Sequence, residues 1–356
     1  WVLSGRTPTA LTHQATRLHH HLTTHNTPPT HTATTLTRRT TFDHRAIILG
    51  TNTTELTTAL TALTTAKPAP GLITGTTTTG TTGLVFSGQG TQRLGMGHQL
   101  ARTYPAFATA LDEVTTELDQ WLEKPLLDIM WGTDPTPLHT TQYAQPALFA
   151  LQTALFRLLQ SWSVTIDIVM GHSVGEITAA HIAGTLTLPH AAQLITTRAR
   201  LMQTLPTNGA MIAIQATETE VTQALRDGVD IAAINTEHNI VISGHAPTAQ
   251  AIAATFTEQG RKTTPLRVSH AFHSTLMEPI LEQFLNDIAH ITPTPPRIPL
   301  ISNLTGQLTD HHYATPTYWR DHIRQPVRFA QSITTMTNTG TTRILEAGPD
   351  TTLTTM

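Results

Sequence analysis

The residues most able to do chemistry in this chain lie in the pentapeptide Gly171-His172-Ser173-Val174-Gly175. The apolar segment TIDIVM precedes it and predicts a buried strand, while EITAAHIAG follows it and predicts a helix. A G-x-S-x-G pattern between a strand and a helix is typical of a nucleophile elbow, because the glycines allow a sharp turn. We therefore predict that Ser173 is a nucleophile. The alternative is a packing turn in which Ser173 only caps the helix.

A serine hydroxyl needs a base within hydrogen-bond reach. The chain has 20 histidines, so their number alone singles out none of them. His270 and His273, in the segment SHAFHS, stand where an inserted subdomain is predicted to return to the larger unit, at the mouth of a cleft. We predict that the base is one of these two. The alternative is that both are surface residues beside Ser274, which can cap the next helix.

An oxyanion needs two backbone N–H groups that point at the same place. Val174 follows the nucleophile at the start of a helix and can supply one of them. Gln89, in the glycine-rich turn SGQGTQ after the strand GLVF, can supply the other. No metal site is predicted, because the histidines at 19–21 lie on a helix without a carboxylate partner and are more typical of a solvated face.

The order of elements around these residues predicts an α/β fold in three parts. Residues 1–82 read as a small β-α-β-α-β unit. Residues 83–207 and 273–356 read as a hydrolase-like core whose parallel sheet carries the elbow. Residues 208–272 have the order β-α-β-β-α-β of a ferredoxin-like subdomain, with RKTTPLRVS as its last strand. One continuous helix is expected after this subdomain, with an apolar face made by Leu276, Met277, Ile280, Leu281, Phe284, Leu285 and Ile288.

Composition excludes several classes of partner and site. The net charge is only -3, charged residues make up 13% of the 356 residues, and there is no cysteine. Nucleic acid or an acidic membrane bound through bulk charge is therefore not expected, nor are disulfides or thiolate metal sites. No signal segment or membrane span is visible, which predicts a cytoplasmic protein. The chain begins with Trp and stops without a polar tail, so we expect a piece of a longer protein.

Eight segments in order resemble those of the acyltransferase domains of modular polyketide synthases and of the related malonyl-CoA:acyl carrier protein transacylases. They are FSGQGTQRLGMG, TQYAQPALFALQ, GHSVGE, TRARLMQ, HAFHS, ISNLTG, YWRDHIRQPVRF and EAGP. The resemblance covers essentially the whole chain. It implies that residues 1–82 are the linker unit that joins a preceding ketosynthase to the acyltransferase.

The resemblance also implies a two-step transfer. Ser173 would be acylated by malonyl-CoA with His273 as its general base, while Gln89 and Val174 stabilise the oxyanion. The phosphopantetheine thiol of an acyl carrier protein would then collect the malonyl group during polyketide biosynthesis. No metal or redox cofactor is implied. The expected partners are malonyl-CoA, the carrier protein, and the ketosynthase and other domains of the same synthase.

Three further roles follow from the family pattern. Arg198, 25 residues after the serine, would hold the free carboxylate of the extender unit, a role that suits a bidentate guanidinium; the alternative is a surface ion pair. The family steadies its base with a backbone carbonyl in a Y-W-x-x-N segment, where this chain has His322, which becomes a possible support of the base.

The extender preference is the third role. Malonyl-selective members show HAFH and a branched residue after the serine, as here with His270, Phe272 and Val174. Phe272 would fill the space of an α-methyl group, so malonyl is the predicted extender. One methyl group discriminates by only about 1–3 kcal/mol, and a methylmalonyl-selective transferase is therefore an alternative.

Two rival functions stay open from the sequence. A serine hydrolase or thioesterase uses the same elbow, and a non-catalytic docking module could keep the fold only. Six acidic residues between the serine and the base could complete a hydrolase triad: Glu218, Glu220, Asp227, Asp230, Glu237 and Glu258. Arg198 separates the hydrolase from a transferase of dicarboxylic acyl groups, because an esterase for neutral esters has no use for a buried cation. Carrier-protein loading left intact by Ser173→Ala would favour the docking module.

Overall fold

The chain forms two compact units in a computed structural model that describes residues 1–25, 27–266 and 268–356. The units are Trp1–Thr79 and Gly80–Met356. The division lies slightly before the predicted boundary at Thr82, because the first strand of the second unit already begins at Thr81.

The first unit packs helices on a three-stranded antiparallel sheet of order β1-β2-β3. Its elements are β1 (Val2–Gly5), α1 (Pro8–Thr24), α2 (Pro29–Thr37), β2 (His44–Ile48), α3 (Thr53–Thr64) and β3 (Leu72–Thr76). Leu56, Leu60 and Leu63 repeat at helical spacing on α3 and share one apolar core with the sheet residues Ala46 and Ile48. The predicted α/β unit is confirmed, with α2 as an additional helix.

The second unit begins with the elements that lead to the elbow. They are β4 (Thr81–Phe86), α4 (His98–Thr103), α5 (Pro105–Asp119), α6 (Leu126–Trp131), α7 (Thr141–Ser161), β5 (Ile168–Gly171), α8 (Gly175–Ile182) and α9 (Leu188–Gln203). A single turn of 3₁₀ helix, Pro137–His139, precedes α7. All four residues of β5 are buried, as expected for a strand covered on both faces.

The ferredoxin-like subdomain follows as predicted. Its elements are β6 (Gly209–Ile214), α10 (Glu218–Ala224), β7 (Val229–Thr236), β8 (Asn239–His245), α11 (Ala246–Glu258) and β9 (Thr263–Pro265). They form an antiparallel sheet of order β7-β8-β6-β9. Its own apolar core joins Ile212, Ile240 and Ile242 to Phe256, so the insertion packs as a separate layer.

The chain then returns to the large subdomain. The remaining elements are α12 (Leu281–Asp287), β10 (Leu300–Ile301), α13 (Pro316–Arg324), α14 (Phe329–Asn338) and β11 (Thr341–Ala347). The sheet of this subdomain has the order β10-β5-β4-β11 and is parallel throughout. Within the described ranges, none of the helices is both long enough and apolar enough to cross a membrane.

Two predicted elements differ from the structure. The helix expected after Ser274 begins as a 3₁₀ segment, Thr275–Ile280, and becomes α-helical only in α12. Pro279 lies inside this segment and has no N–H to donate, so a regular α-helical ladder cannot run through it. The capping role of Ser274 is confirmed, because its Oγ accepts a hydrogen bond from Leu276 N at 3.3 Å.

The second difference concerns the strand predicted over residues 261–269. β9 covers three residues of it at the edge of the sheet, where Pro265 can be accommodated without a ladder donor. Arg267, which the predicted strand includes, lies outside the described residues.

Candidate active site

The turn between β5 and α8 has the geometry of a nucleophile elbow. Ser173 has a φ of 49°, in the left-handed region that a non-glycine residue rarely adopts. A Cβ at Gly171 would lie 2.1 Å from Glu176 N, and one at Gly175 would lie 2.3 Å from Phe86 O. Only glycine fits at either position, so the glycines of the pentapeptide are required by close backbone approach.

The hydroxyl of Ser173 lies against His273. Its Oγ is 2.7 Å from Nε2 of His273, whose Nδ1 donates to the carbonyl of Gln325 at 2.8 Å. A carbonyl can only accept, so Nδ1 carries the proton and Nε2 is free to accept one from the serine. His273 itself has a φ of 58°, so both members of the pair stand in uncommon backbone conformations. The backbone carbonyl takes the place that an acid would have in a triad.

The surroundings keep His273 neutral. Burial lowers the pKa of this histidine, and the positive charge of Arg198 lowers it further, against the opposing hydrogen bond to Gln325, to about 3. A base with so low a pKa is unprotonated at neutral pH. The site therefore holds a serine hydroxyl and a free imidazole in hydrogen-bond contact.

The ring of His322 lies beside the base rather than in hydrogen-bond contact with it. The two imidazole centroids are 6.2 Å apart, and the carbonyl that receives Nδ1 of His273 belongs to Gln325, three residues further along the chain. The backbone of His322 also acts on His273, in the direction that raises its pKa. The ring of His322 is 1% exposed, and in the described part of the chain neither of its nitrogens has a hydrogen-bond partner.

Two backbone N–H groups beside Ser173 are available for an oxyanion. Val174 precedes α8, and Gln89 lies in the loop after β4 and lines the same cleft as Ser173. Among the described residues, neither N–H donates a hydrogen bond, whereas those of Gly175 and Glu176 donate to His172 O and Ser173 O. Val174 directly follows the nucleophile and Gln89 lines the same cleft, so both N–H groups are candidate oxyanion donors.

Arg198, on α9, is a buried cation. Its side chain is 2% exposed, its Nη1 donates to Gln145 Oε1 at 2.6 Å, and its Nε has no partner in the part of the chain that is described. Burial lowers its pKa to about 9, so it stays charged at neutral pH. No ion pair of Arg198 with Asp or Glu is found among the described residues. A guanidinium that is buried and charged, with no acidic partner among the described residues, favours an anionic ligand.

Gln145 is a site residue that sequence reasoning missed. It is 1% exposed on α7, and its Nε2 donates to Gln89 Oε1 at 3.2 Å while its Oε1 receives Arg198. It therefore links the buried cation to the loop that carries Gln89, a candidate oxyanion donor. A glutamine in the otherwise apolar run AQPALFAL was the available sign, since buried amides are retained where they have partners.

A cleft of about 350 Å³ lies between the elbow and the ferredoxin-like subdomain, and Ser173, His273 and Phe272 line it. The other two residues predicted to set the extender lie elsewhere. His270 is 1% exposed, with Nε2 at 2.9 Å from Leu205 O. The side chain of Val174 is 2% exposed within the large apolar core. Phe272 is thus the one of the three that borders the cleft.

Glu176, in the first turn of α8, is a buried acid below the elbow. It is 0% exposed and accepts hydrogen bonds from Asn303 N at 2.6 Å and from the hydroxyl of Tyr318. Burial raises its pKa to about 8, although both hydrogen bonds oppose that shift. Its carboxyl group is therefore largely protonated in the folded protein at neutral pH.

This raised pKa predicts a pH dependence of stability that Glu176→Gln should remove. The folded protein keeps a proton that the unfolded chain releases between about pH 4.5 and 8, so the free energy of unfolding should fall as pH rises through that window. Urea unfolding of the parent and of Glu176→Gln at pH 5 and 8 checks this. Titration of His273 affects both proteins alike, so the difference between them reports Glu176. An equal change in the two proteins would contradict the prediction.

Comparison with known proteins agrees with this geometry. The acyl transferase domain family matches residues 84–356, and a C-terminal polyketide synthase family, described as CurL-like, matches residues 1–60. The chain is 46% identical over 358 residues to the phenolphthiocerol synthesis polyketide synthase type I Pks15/1 of Mycobacterium marinum, covering 99% of this chain and 17% of that protein. It is 44% identical to the spectinabilin polyketide synthase system protein NorB of Streptomyces orinoci, again over 17% of that protein.

Solved structures show the same fold. The acyltransferase domain from the second module of the salinomycin polyketide synthase is 42% identical, with a TM-score of 0.83 over 100% of this chain and 85% of that one. The malonyl-CoA:acyl carrier protein transacylase of Xanthomonas oryzae is 30% identical, with a TM-score of 0.71 over 78% and 91% of the two chains. The chain spans less than a quarter of the curated synthases named above. It belongs to the acyl transferase domain family, in its polyketide synthase branch, as the sequence resemblance predicted.

Proposed function

We propose that this acyl transferase domain takes a malonyl group from malonyl-CoA onto Ser173 and passes it to the phosphopantetheine thiol of an acyl carrier protein in polyketide biosynthesis. One observation carries the proposal. A serine hydroxyl is in contact with a neutral imidazole, and that imidazole feels the charge of a buried cation, Arg198, which has no acidic partner among the described residues.

The first half-reaction acylates the serine. Nε2 of His273 takes the proton of Ser173 as Oγ attacks the thioester carbonyl, and the resulting oxyanion accepts hydrogen bonds from the N–H groups of Gln89 and Val174. The tetrahedral intermediate then collapses, and its C–S bond breaks. The proton on Nε2 goes to the departing thiolate, which leaves as coenzyme A with a malonyl ester on Oγ.

The second half-reaction reverses these roles. The carrier thiol gives its proton to Nε2 of His273 as its sulfur attacks the ester carbonyl. Collapse breaks the bond between the carbonyl carbon and Oγ, and the proton returns to Ser173. Both halves use the same groups, so the proposed cycle needs no resident metal or redox cofactor. A cytoplasmic location and contact with neighbouring synthase domains belong to the same proposal.

Arg198 is proposed to bind the free carboxylate of the extender. A guanidinium presents two parallel N–H donors to a carboxylate, which anchors and orients the acyl group. Arg198 already uses Nη1 to reach Gln145 Oε1 at 2.6 Å, an acceptor that a carboxylate oxygen can replace. A neutral acyl group such as acetyl offers no such partner, which supports selection of a dicarboxylic thioester.

A mass measurement of the intact protein after exposure to malonyl-CoA or acetyl-CoA tests the proposal. We expect a malonyl adduct on Ser173, much less acetyl adduct, and loss of the malonyl adduct when a phosphopantetheinylated carrier protein is added. Ser173→Ala is the control for the site of attachment. Equal labelling by both thioesters would refute the carboxylate anchor, and release of free malonate without carrier loading would favour a hydrolase.

The cleft lining predicts that Phe272 biases the protein toward malonyl over methylmalonyl units. Phe272→Ser should lower the malonyl preference by about tenfold, because a pocket that excludes one methyl group discriminates by about 1–3 kcal/mol. Competition between the two thioesters, read by adduct mass, measures the ratio. His270→Ala is a matched comparison, since His270 lies outside the cleft lining in the described residues. A methylmalonyl preference of the unaltered protein would contradict the prediction.

A further inference from the structure

The turn after β10 places a polar residue directly beside the elbow. β10 is parallel to β5, with Leu300 opposite Val169 and Ile301 opposite Met170. Parallel strands end at the same edge of a sheet, so the residues that follow β10 meet those that follow β5. Asn303 lies there, 1% exposed, in the segment ISNLTG.

The side chain of Asn303 binds the backbone of the elbow. Its Nδ2 donates to Gly171 O at 3.0 Å and to Ser173 O at 3.4 Å. These carbonyls flank the left-handed turn at the nucleophile. A strained residue persists only where its surroundings fix it, and a donor shared between both sides of the turn does so.

The backbone of Asn303 binds two other parts of the site. Its N–H donates to Glu176 Oε2 at 2.6 Å, in the first turn of α8. Its carbonyl accepts from Arg328 N at 2.7 Å. Arg328 stands three residues after Gln325, whose carbonyl holds Nδ1 of the base. Asn303 therefore connects the turn that holds Ser173 to the segment whose Gln325 carbonyl binds His273.

We propose that Asn303 is a positioning residue that keeps Ser173 Oγ and His273 Nε2 at hydrogen-bond distance for proton transfer. This inference rests on the proposed function, in that it takes Ser173 and His273 as the reacting pair. The side chain and the backbone of Asn303 bind different partners, and its amide nitrogen is the only part of the side chain that can donate to the elbow carbonyls. A displacement of about 1 Å in such a pair costs up to about 100-fold in rate.

The substitutions Asn303→Asp and Asn303→Ala test it. Both should slow malonyl-serine formation by about 10- to 100-fold per folded molecule, with KM for malonyl-CoA changed by less than about threefold. Asn303→Asp should recover relative to the parent as pH falls from 8 to 5.5, because a protonated carboxyl regains one O–H donor and an ionised one has none. Asn303→Ala should show no such recovery.

The pH comparison is made as a ratio to the parent protein. The titratable and charged groups packed near position 303 are Glu176, Tyr318, His322 and Arg328, and Asn303→Ala, which keeps all four, reports their own titration without the elbow donor. Ser302→Ala is the matched control for folding. Its hydroxyl contacts Tyr318 and the N–H groups of residues 304 and 305 but not the elbow. It should lower the melting temperature and leave acylation per folded molecule unchanged.

Labelling of Ser173 by a fluorophosphonate is followed in parallel, because it depends on an activated serine and not on the malonyl group. Parent-like acylation in Asn303→Ala, an equal loss in Ser302→Ala, or a flat pH ratio for Asn303→Asp would each overturn the inference. If the parent forms no malonyl-serine, the proposed function fails. Slower labelling of the Asn303 variants would then still support the positioning role, and equal labelling would refute it.

Discussion

His273→Ala should lower the rate of malonyl-serine formation by about 10²- to 10⁴-fold, the range that a positioned general base contributes. The reason is geometric. Nε2 lies 2.7 Å from Ser173 Oγ, and the hydrogen bond from Nδ1 to Gln325 O fixes the tautomer in which Nε2 accepts a proton. Burial keeps this imidazole neutral, so the whole population of the protein is ready to accept the serine proton. Rapid quenching and intact-mass measurement give the rate.

His181→Ala is a suitable control for this prediction. His181 lies on α8, the helix that follows the elbow. Like His273, it has Nδ1 near a backbone carbonyl, that of Leu186 at 3.1 Å, but it takes no part in the contacts around Ser173. We expect its acylation rate to stay within about twofold of the parent, as for substitutions away from the reacting groups. A similar loss in both variants would mean that a general change of structure, and not the missing base, slows the reaction.

The sequence predicted those parts of the site that depend on local pattern. G-x-S-x-G between an apolar strand and a helix defines a turn through nearest neighbours in the chain, and the turn at Ser173 has that form. The pairing with His273 spans 100 residues. The order of elements narrowed the base to His270 or His273, and the family order of segments then selected His273. The catalytic roles of both residues stay predictions until acylation is measured.

Other parts of the site arise from packing that no local pattern encodes. Gln325 supports the base through its carbonyl, a group that every residue has, so its side-chain type gives no sign of the role. Gln145 and Asn303 act through contacts with residues 53 and 132 positions away. The 3₁₀ segment before α12 was missed because an apolar face at helical spacing does not distinguish the two helix types.

The second large effect is expected from substitution of Arg198, and a control for it, Arg200, lies on the same helix. Arg200 lies two residues further along α9, where its half-exposed side chain pairs with Asp287 at 3.1 Å. Exposed ion pairs contribute little to stability or function. Arg200→Met should therefore leave both the acylation rates and the choice of thioester unchanged, and a shift in that choice would argue that any charge on α9 acts at long range.

Arg198→Met should lower acylation by malonyl-CoA by about 100-fold or more while acylation by acetyl-CoA is kept or increased. Loss of one partner of a buried, hydrogen-bonded charge pair commonly costs about 2–5 kcal/mol of binding, and the malonyl carboxylate would be that partner. Acetyl-CoA loses nothing with the guanidinium. His273 should become a stronger base in this variant, because the positive charge of Arg198 adds to burial in lowering its pKa. The fold should survive. Arg198 has no acidic partner among the described residues, and replacing such a buried charge with an apolar side chain need not destabilise a core. Adduct masses from each thioester give the ratio, and an equal fall for both would assign Arg198 a structural role instead.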